Sequence, residues 1–455
     1  MELRTQEGDA LEEYGRYYHP LLGDERTRRA FNGILKGIIA SESLCCSRIA
    51  VFSPELNASE HGERRVRRLV HGESSKRSEL DDRRLVERLQ MRAVELLAGE
   101  REVWVMVDGS DLRKPEAQRM EGLMKVRSLK GSGLVAGYRT LNAIGVSPGK
   151  RGLLYHRLFS SQSADFESES REVEHLLNSV GRSLAGSQAV MTYVLDRGFD
   201  DIAVWGVIGG QGHHLVCRLS HLGRLVQQVD DTGQRRELSV REAAQRLVAQ
   251  GTVEADMRVR KRGQRQAHRQ TVTVELAACE LQVNAAQGVM RLRGDKMVGW
   301  QKVWLVRVTL PETTYEPWWL LTDWPVRDEA AAKRIFQMYY QRWAVEDGFK
   351  FIKQCLGWES VQVLSLAGVR LLVALAWVAA GFLYELGVTW EWVEVQLLAR
   401  LGGWPPRSDR PPGKQVIARG LRRLLDIIAA EAILNDHIAT YGRLPPRIAT
   451  ILGRN

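Results

Sequence analysis

The chain has 455 residues, 44% of them hydrophobic and 26% charged, and its 65 Lys and Arg against 55 Asp and Glu give a formal charge of +10. That length predicts two to four structural units, each with enough apolar residues to bury a core, which excludes wholesale disorder and collagen-like or low-complexity architectures. The isoelectric point near 9.4 favours polyanionic partners without choosing among them.

The opening segment, MELRTQEGDALEEYG, is acidic and has no apolar core, which predicts no signal peptide. Residues 1–100 read as a helical DNA-binding region. In RTRRAFNGILKGIIASESLCCSRIAVF, Phe31, Ile34, Leu35, Ile38 and Ile39 recur at helical spacing. RRVRRLV predicts a second helix carrying Arg64, Arg65, Arg67 and Arg68, with a polar turn containing Pro54 and Asn57 before it. Two short helices with arginines on one face resemble a helix-turn-helix-like DNA-binding unit.

The texture changes over 101–220. VWVMVDG is a compact apolar run that predicts a buried strand ending at Asp108. SGLVAGYRTLNAIGV and LLYHRLFSS predict further strands, and 167–182 has helical periodicity. AVMTYVLDRGFDD predicts a strand ending at Asp196, then a helix through Val207, and HHLVCRLS another strand. Three strands, helix, strand, helix, strand is the order of an RNase H-like mixed sheet in an α/β architecture. His213 and His214 fall on opposite faces of their strand, which argues against a metal site there. The five cysteines, Cys45, Cys46, Cys217, Cys279 and Cys355, lack metal-ligand spacing and read as buried reduced thiols.

Residues 221–325 alternate strand-like pieces with polar turns and contain the basic segment MRVRKRGQRQAHRQ, so they read as a β-rich insertion. Residues 326–364 return to helix. Residues 365–455 form a helical C-terminal region, broken by GGWPPRSDRPPGK, whose helices are candidates for dimerisation. Its apolar stretch LLVALAWVAAGFLY is shorter than the about 20 residues needed to cross a bilayer and predicts a buried helix.

The segment YYQRWAVEDGFKFIKQ carries the most information. Steps of four and seven return to nearly the same helix face, so Tyr339, Arg342, Glu346, Lys350 and Lys353 line one stripe with a carboxylate at its centre. Strand-end aspartates joined by a helix glutamate make a three-carboxylate site of hard oxygens suited to Mg²⁺, with Mn²⁺ able to substitute. Two such ions about 3.5–4 Å apart serve phosphodiester cleavage. The flanking cations would hold phosphates. No glycine-rich phosphate loop points to a nucleotide cofactor. Asp111 reads as a turn residue, Asp200 and Asp201 as the start of the next helix, and Asp347 as off the stripe.

The spacing Tyr339-x2-Arg342-x3-Glu346-x6-Lys353 resembles the YREK signature of bacterial DDE transposases of the insertion-sequence 4 family, and VDGSDLR and LDRGF are similar to that family's first two acidic motifs. The resemblance covers about 100–363. It implies an RNase H-like catalytic core interrupted by the β-rich insertion, with Asp108, Asp196 and Glu346 as catalytic metal ligands. It further implies hydrolysis at transposon ends, a hairpin intermediate, and transfer of 3′-OH ends into target DNA by a homodimer synapsing two terminal inverted repeats. In WWLLTDWPV the resemblance makes Trp318 the stacking residue for a flipped base, with Trp319 its rival, and Tyr339, Arg342 and Lys353 phosphate contacts. Lys350 fits the stripe outside the signature. The implied setting is the bacterial cytoplasm, at the nucleoid and not at a membrane. The alternatives are a domesticated DNA-binding protein without catalysis and a host nuclease on the same fold.

Overall fold

The computed structural model describes residues 10–56, 61–72, 79–129, 133–229, 233–288, 290, 292, 299–405 and 412–452. Five helices come first: α1 (Ala10–Arg16), α2 (Glu25–Ser41), α3 (Cys46–Phe52), α4 (Gly62–Val70) and α5 (Asp82–Leu97). Asp24 caps α2, its side chain accepting from the Thr27 N–H at 2.7 Å, and Asp81 caps α5 in the same way. The apolar stretch through Phe52 is therefore two helices: Glu42 turns left-handed at φ 49° and ends α2. Of the turn predicted before α4, Pro54 is a turn residue, and Asn57 lies outside the described residues.

The central unit contains β1 (Glu102–Arg113), β2 (Met124–Arg127), β3 (Leu134–Ser147), β4 (Lys150–Phe159), α6 (Glu169–Leu184), β5 (Val190–Leu195), α7 (Ile202–Gly210) and β6 (His214–Arg218). Its strands stand in the order β4-β3-β1-β5-β6. β3 runs antiparallel to β1 and β4, whereas β5 and β6 run parallel to β1. Two expectations need correction. β1 does not end at Asp108 but continues to Arg113, because β3 supplies a backbone partner for every residue of the polar stretch as far as Gly137 opposite Arg113. For the same reason Asp111 is a strand residue and not a turn residue.

Next come β7 (Leu225–Val229), β8 (Arg235–Ser239), α8 (Val240–Gln245), β9 (Gly251–Val259), β10 (His268–Asn284), β11 (Trp300–Thr309) and β12 (Trp318–Thr322). β12 pairs antiparallel with β6, placing Leu321 opposite Cys217, so the sheet continues as β6-β12-β11-β10-β7-β8. With β9 beside β10 and β2 beside β3, one mixed sheet of 12 strands spans the two regions.

The remaining helices are α9 (Glu329–Gln341), α10 (Trp343–Cys355), α11 (Leu366–Thr389), α12 (Trp392–Leu401), α13 (Lys414–Tyr441) and α14 (Pro446–Ile451). Two apolar cores cover the two faces of the sheet. One gathers the N-terminal helices with α9, α10 and α11, and the other gathers α6, α7 and α8. Among the described residues α11 is the one helix long and apolar enough to cross a membrane, and 83% of its apolar window is buried inside the protein. It is a buried helix, as its sequence predicts, but at 24 residues it is longer than the apolar stretch that suggested it was too short to span.

Candidate functional site

The parallel pairing of β1 with β5 runs to Val107 opposite Leu195 and stops there. The next residue on each strand is an aspartate. Strand register therefore sets Asp108, within β1, and Asp196, just past β5, beside each other where the parallel pairing ends, toward the edge where open α/β sheets bind ligands. Asp108 Oδ1 accepts from the Gly109 N–H and Asp196 Oδ1 from the Gly198 N–H, each at 2.8 Å. Burial pushes the Asp108 carboxyl up to about 7; the charges of Asp196 and Glu346 push the same way and Arg342 opposes them. The three acids singled out by spacing thus share one electrostatic site.

The signature helix runs as two segments, α9 and α10, that meet at Arg342, whose backbone stays helical (φ −55°, ψ −33°) while its N–H bonds to the Tyr339 carbonyl, three residues back, at 3.0 Å. The members of the predicted stripe differ in burial. Tyr339 is buried, Glu346 and Lys350 are exposed, and Lys353 is half-buried. The Arg342 side chain is only 7% exposed; one terminal nitrogen lies 3.3 Å from Asp108 Oδ2 and the other 2.5 Å from Glu346 Oε1. Burial works against its charge, but Tyr339, Glu346 and Asp108 outweigh burial and hold the guanidinium firmly protonated. Lys353 points back into the fold, donating to the Asp111 carbonyl at 2.9 Å with its ammonium 5.8 Å from the Trp358 ring centroid. Burial, and then Arg113, lower its pKa. The side chain of Asp347 lies outside the described residues.

The two rival tryptophans fall on opposite faces of the sheet, as neighbours on a strand must. Trp319 packs against the core of α6, α7 and α8. Trp318 is 7% exposed, with ring centroids 5.6 Å from Tyr339 and 5.8 Å from Trp343, and the Arg218 guanidinium 5.5 Å from its own ring centre. It also lines a cavity of about 420 Å³ shared with Trp343, Arg197, Arg218, Arg258 and Tyr315. Sequence reasoning did not single out Arg197 or Arg218. The available signal was position: Arg197 follows Asp196, and Arg218 ends the next parallel strand, β6.

In the N-terminal region Arg65 and Arg68 share a groove with Arg26 and Arg29 of α2, which were also not singled out. Arg64 is exposed, and Arg67 pairs with Glu63 at 2.7 Å. His213 stacks on Tyr193, whereas His214 stacks on Trp324 with its Nδ1 2.7 Å from Asp323 Oδ2. Asp201 caps α7, as expected of an acid before a helix. Asp200 is instead buried against Arg224 at 2.6 Å and the Ser220 and His221 N–H groups.

The carboxylate oxygens of Asp108, Asp196 and Glu346 are hard donors of the kind that suits Mg²⁺ or Mn²⁺. Among the described residues no group of three or more His, Cys, Asp or Glu side chains is arranged to hold an ion. The Glu346 side chain, 53% exposed, turns to Arg342 instead.

No family model matches the chain, and no curated protein matches it. Among solved structures it is similar to the cryo-EM structure of a piggyBac transposase synaptic complex with hairpin DNA, at 9% identity and a TM-score of 0.39, over 95% of this chain and 76% of that one. A likeness at that level carries no argument about activity.

Proposed function

We propose that the chain is a DDE transposase of the insertion-sequence 4 kind, built on an RNase H-like core. It would hydrolyse phosphodiester bonds at the terminal inverted repeats of an element and join the freed 3′-OH ends to target DNA. The observation that supports this reading is the adjacency of Asp108 and Asp196 where a parallel strand pair ends, with Glu346 near enough to join Asp196 and burial in raising Asp108. The strand order β4-β3-β1-β5-β6, with only β3 reversed, supports the RNase H-like core.

Two bound Mg²⁺ or Mn²⁺ ions would activate the attacking oxygen and stabilise the leaving one. Asp108, Asp196 and Glu346 would hold them. Lys350, exposed one turn beyond Glu346, is open to a phosphate. Arg197, Arg218 and Arg258 bring positive charge to the cavity that Trp318 lines, which supports Trp318 over Trp319 as the platform for a flipped base in a hairpin intermediate. Arg64 and Arg65, exposed on α4, support end binding by the N-terminal helices. A homodimer would synapse the two ends, in the bacterial cytoplasm at the nucleoid.

The test is a plasmid carrying the flanking inverted repeats, incubated with the protein and Mg²⁺. Excised linear element, hairpin ends and joined products are expected. Asp108→Ala, Asp196→Ala and Glu346→Ala should each abolish cleavage while end binding survives. Near-normal cleavage by any one of them overturns the site. Binding without cleavage by the unmodified protein would make it a DNA-binding protein, and cleavage without joining a nuclease.

A further inference from the structure

The guanidinium of Arg342 forks between two of the three acids. One arm is on Asp108 and the other on Glu346, and the side chain is almost wholly shielded from solvent. An ion bound by both carboxylates would draw their oxygens to within about 2.0–2.6 Å of itself. A guanidinium at hydrogen-bond distance from both fills the space between them, so the two cations exclude one another. A second observation agrees. The charges of Asp196 and Glu346 both act on Asp108, and the Glu346 side chain turns to Arg342. Arg342 sits on helical backbone where α9 meets α10, with the Tyr339 ring centroid 5.5 Å from its guanidinium carbon.

We propose that Arg342 is a placeholder cation, which pairs Asp108 with Glu346 in the metal-free protein and is displaced from between them when a divalent ion enters. The inference rests on the reading of the three acids as metal ligands. It assigns Arg342 a role that the phosphate contact read from the signature does not include. Asp108, whose side chain is 14% exposed, is then never left without a counter-charge, which would be costly. The guanidinium becomes free for a substrate phosphate only once metal is bound, so metal loading and substrate capture follow in order.

The test uses DNA-free, EDTA-stripped protein and Mn²⁺ alone, with binding read by calorimetry and by the electron paramagnetic resonance signal of free Mn²⁺. Arg342→Gln removes the competitor and should bind Mn²⁺ about tenfold more tightly than the unmodified protein, a difference of about 1.4 kcal/mol. Arg342→Lys keeps the charge but loses the two-armed fork, and should fall between them. In EDTA the Arg342→Gln protein should melt lower, and Mn²⁺ should raise its melting temperature by more than it raises that of the unmodified protein. Equal or weaker Mn²⁺ binding by folded Arg342→Gln overturns the proposal. If that variant does not fold without metal, Arg342→Lys decides: affinity no tighter than the unmodified protein's overturns it. Asp108→Asn separates the two layers of inference. If it leaves Mn²⁺ binding unchanged, the acids are not the metal site and the underlying reading fails.

Discussion

His156 shows what burial does to one titratable side chain. It lies on β4 with no charged partner, its Nδ1 2.6 Å from Asn142 Oδ1 and 3.0 Å from Trp377 Nε1, and Trp358 packs nearby. Burial lowers its pKa to about 3. The unfolded chain therefore takes up a proton near pH 6.5 that the folded protein refuses until about pH 3. The resulting stability is full above pH 6.5 and is lost as pH falls through that window, by roughly 2 kcal/mol at pH 5. His156→Gln cannot titrate, so the gap in melting temperature between it and the unmodified protein should narrow or reverse from pH 7 to pH 5. Parallel melting curves across that range would rule the buried histidine out as the cause. At this scale the sequence was informative where chemistry follows from residue type. The apolar run before each aspartate placed Asp108 and Asp196 at strand positions facing one edge, and the four-residue step from Arg342 to Glu346 put those two side chains together. It was silent on which cations turn inward. Lys353 and Arg342 read as phosphate contacts by type, but their partners, the Asp111 carbonyl and Asp108, are more than 230 residues away.

Elements were legible to the extent that their signals are local. Helical periodicity located α2, α4, α6, α9 and α10, and apolar runs located β1, β5 and β6. The tightened turn at Arg342, where α9 meets α10, has neither Pro nor Gly to mark it, and it coincides with a contact from Arg342 to Asp108 on β1, so no local pattern reports it. Nor does strand texture report that β12 joins the edge at β6, a pairing across about 100 residues. Helix crossings are equally non-local. α12 and α13 approach so closely that a Cβ on Gly420 would overlap the Leu398 carbonyl, and one on Gly402 would overlap that of Val416. Gly420→Ala, which in an isolated helix gains about 1 kcal/mol, should here destabilise by about 1–3 kcal/mol through overpacking. Gly387, near the end of α11, faces open space, so Gly387→Ala should show the ordinary gain. Chemical denaturation of the pair checks the sign. A gain at Gly420 would mean that α12 and α13 separate at little cost.

Across the whole molecule the excess of ten positive charges is distributed unevenly. Three arginines and one glutamate line the Trp318 cavity, whereas the four arginines of the α2–α4 groove face Glu12, Glu25 and Glu55. The basic segment noted in the sequence forms the turn between β9 and β10, where Lys261 pairs with Glu312 and Arg269 with Asp256. Burial is distributed unevenly as well. The first half of α13 is held by Val416, Ile417, Leu421 and Leu425, all buried, but from residue 426 to 452 no described residue is buried. Ile427, Ile428, Ile433, Ile448 and Ile451 are all exposed. A segment that buries so little contributes almost nothing to the stability of the chain it ends. Deleting residues 429–455 should therefore leave the melting temperature of dilute protein nearly unchanged, within about 0.5 kcal/mol. Dilution matters because the exposed isoleucines form an apolar face that could pair with another molecule at high concentration. A loss of stability that grows with protein concentration would show this segment joining copies of the chain. A large loss at every concentration would show that it packs on its own chain, against the burial pattern described above.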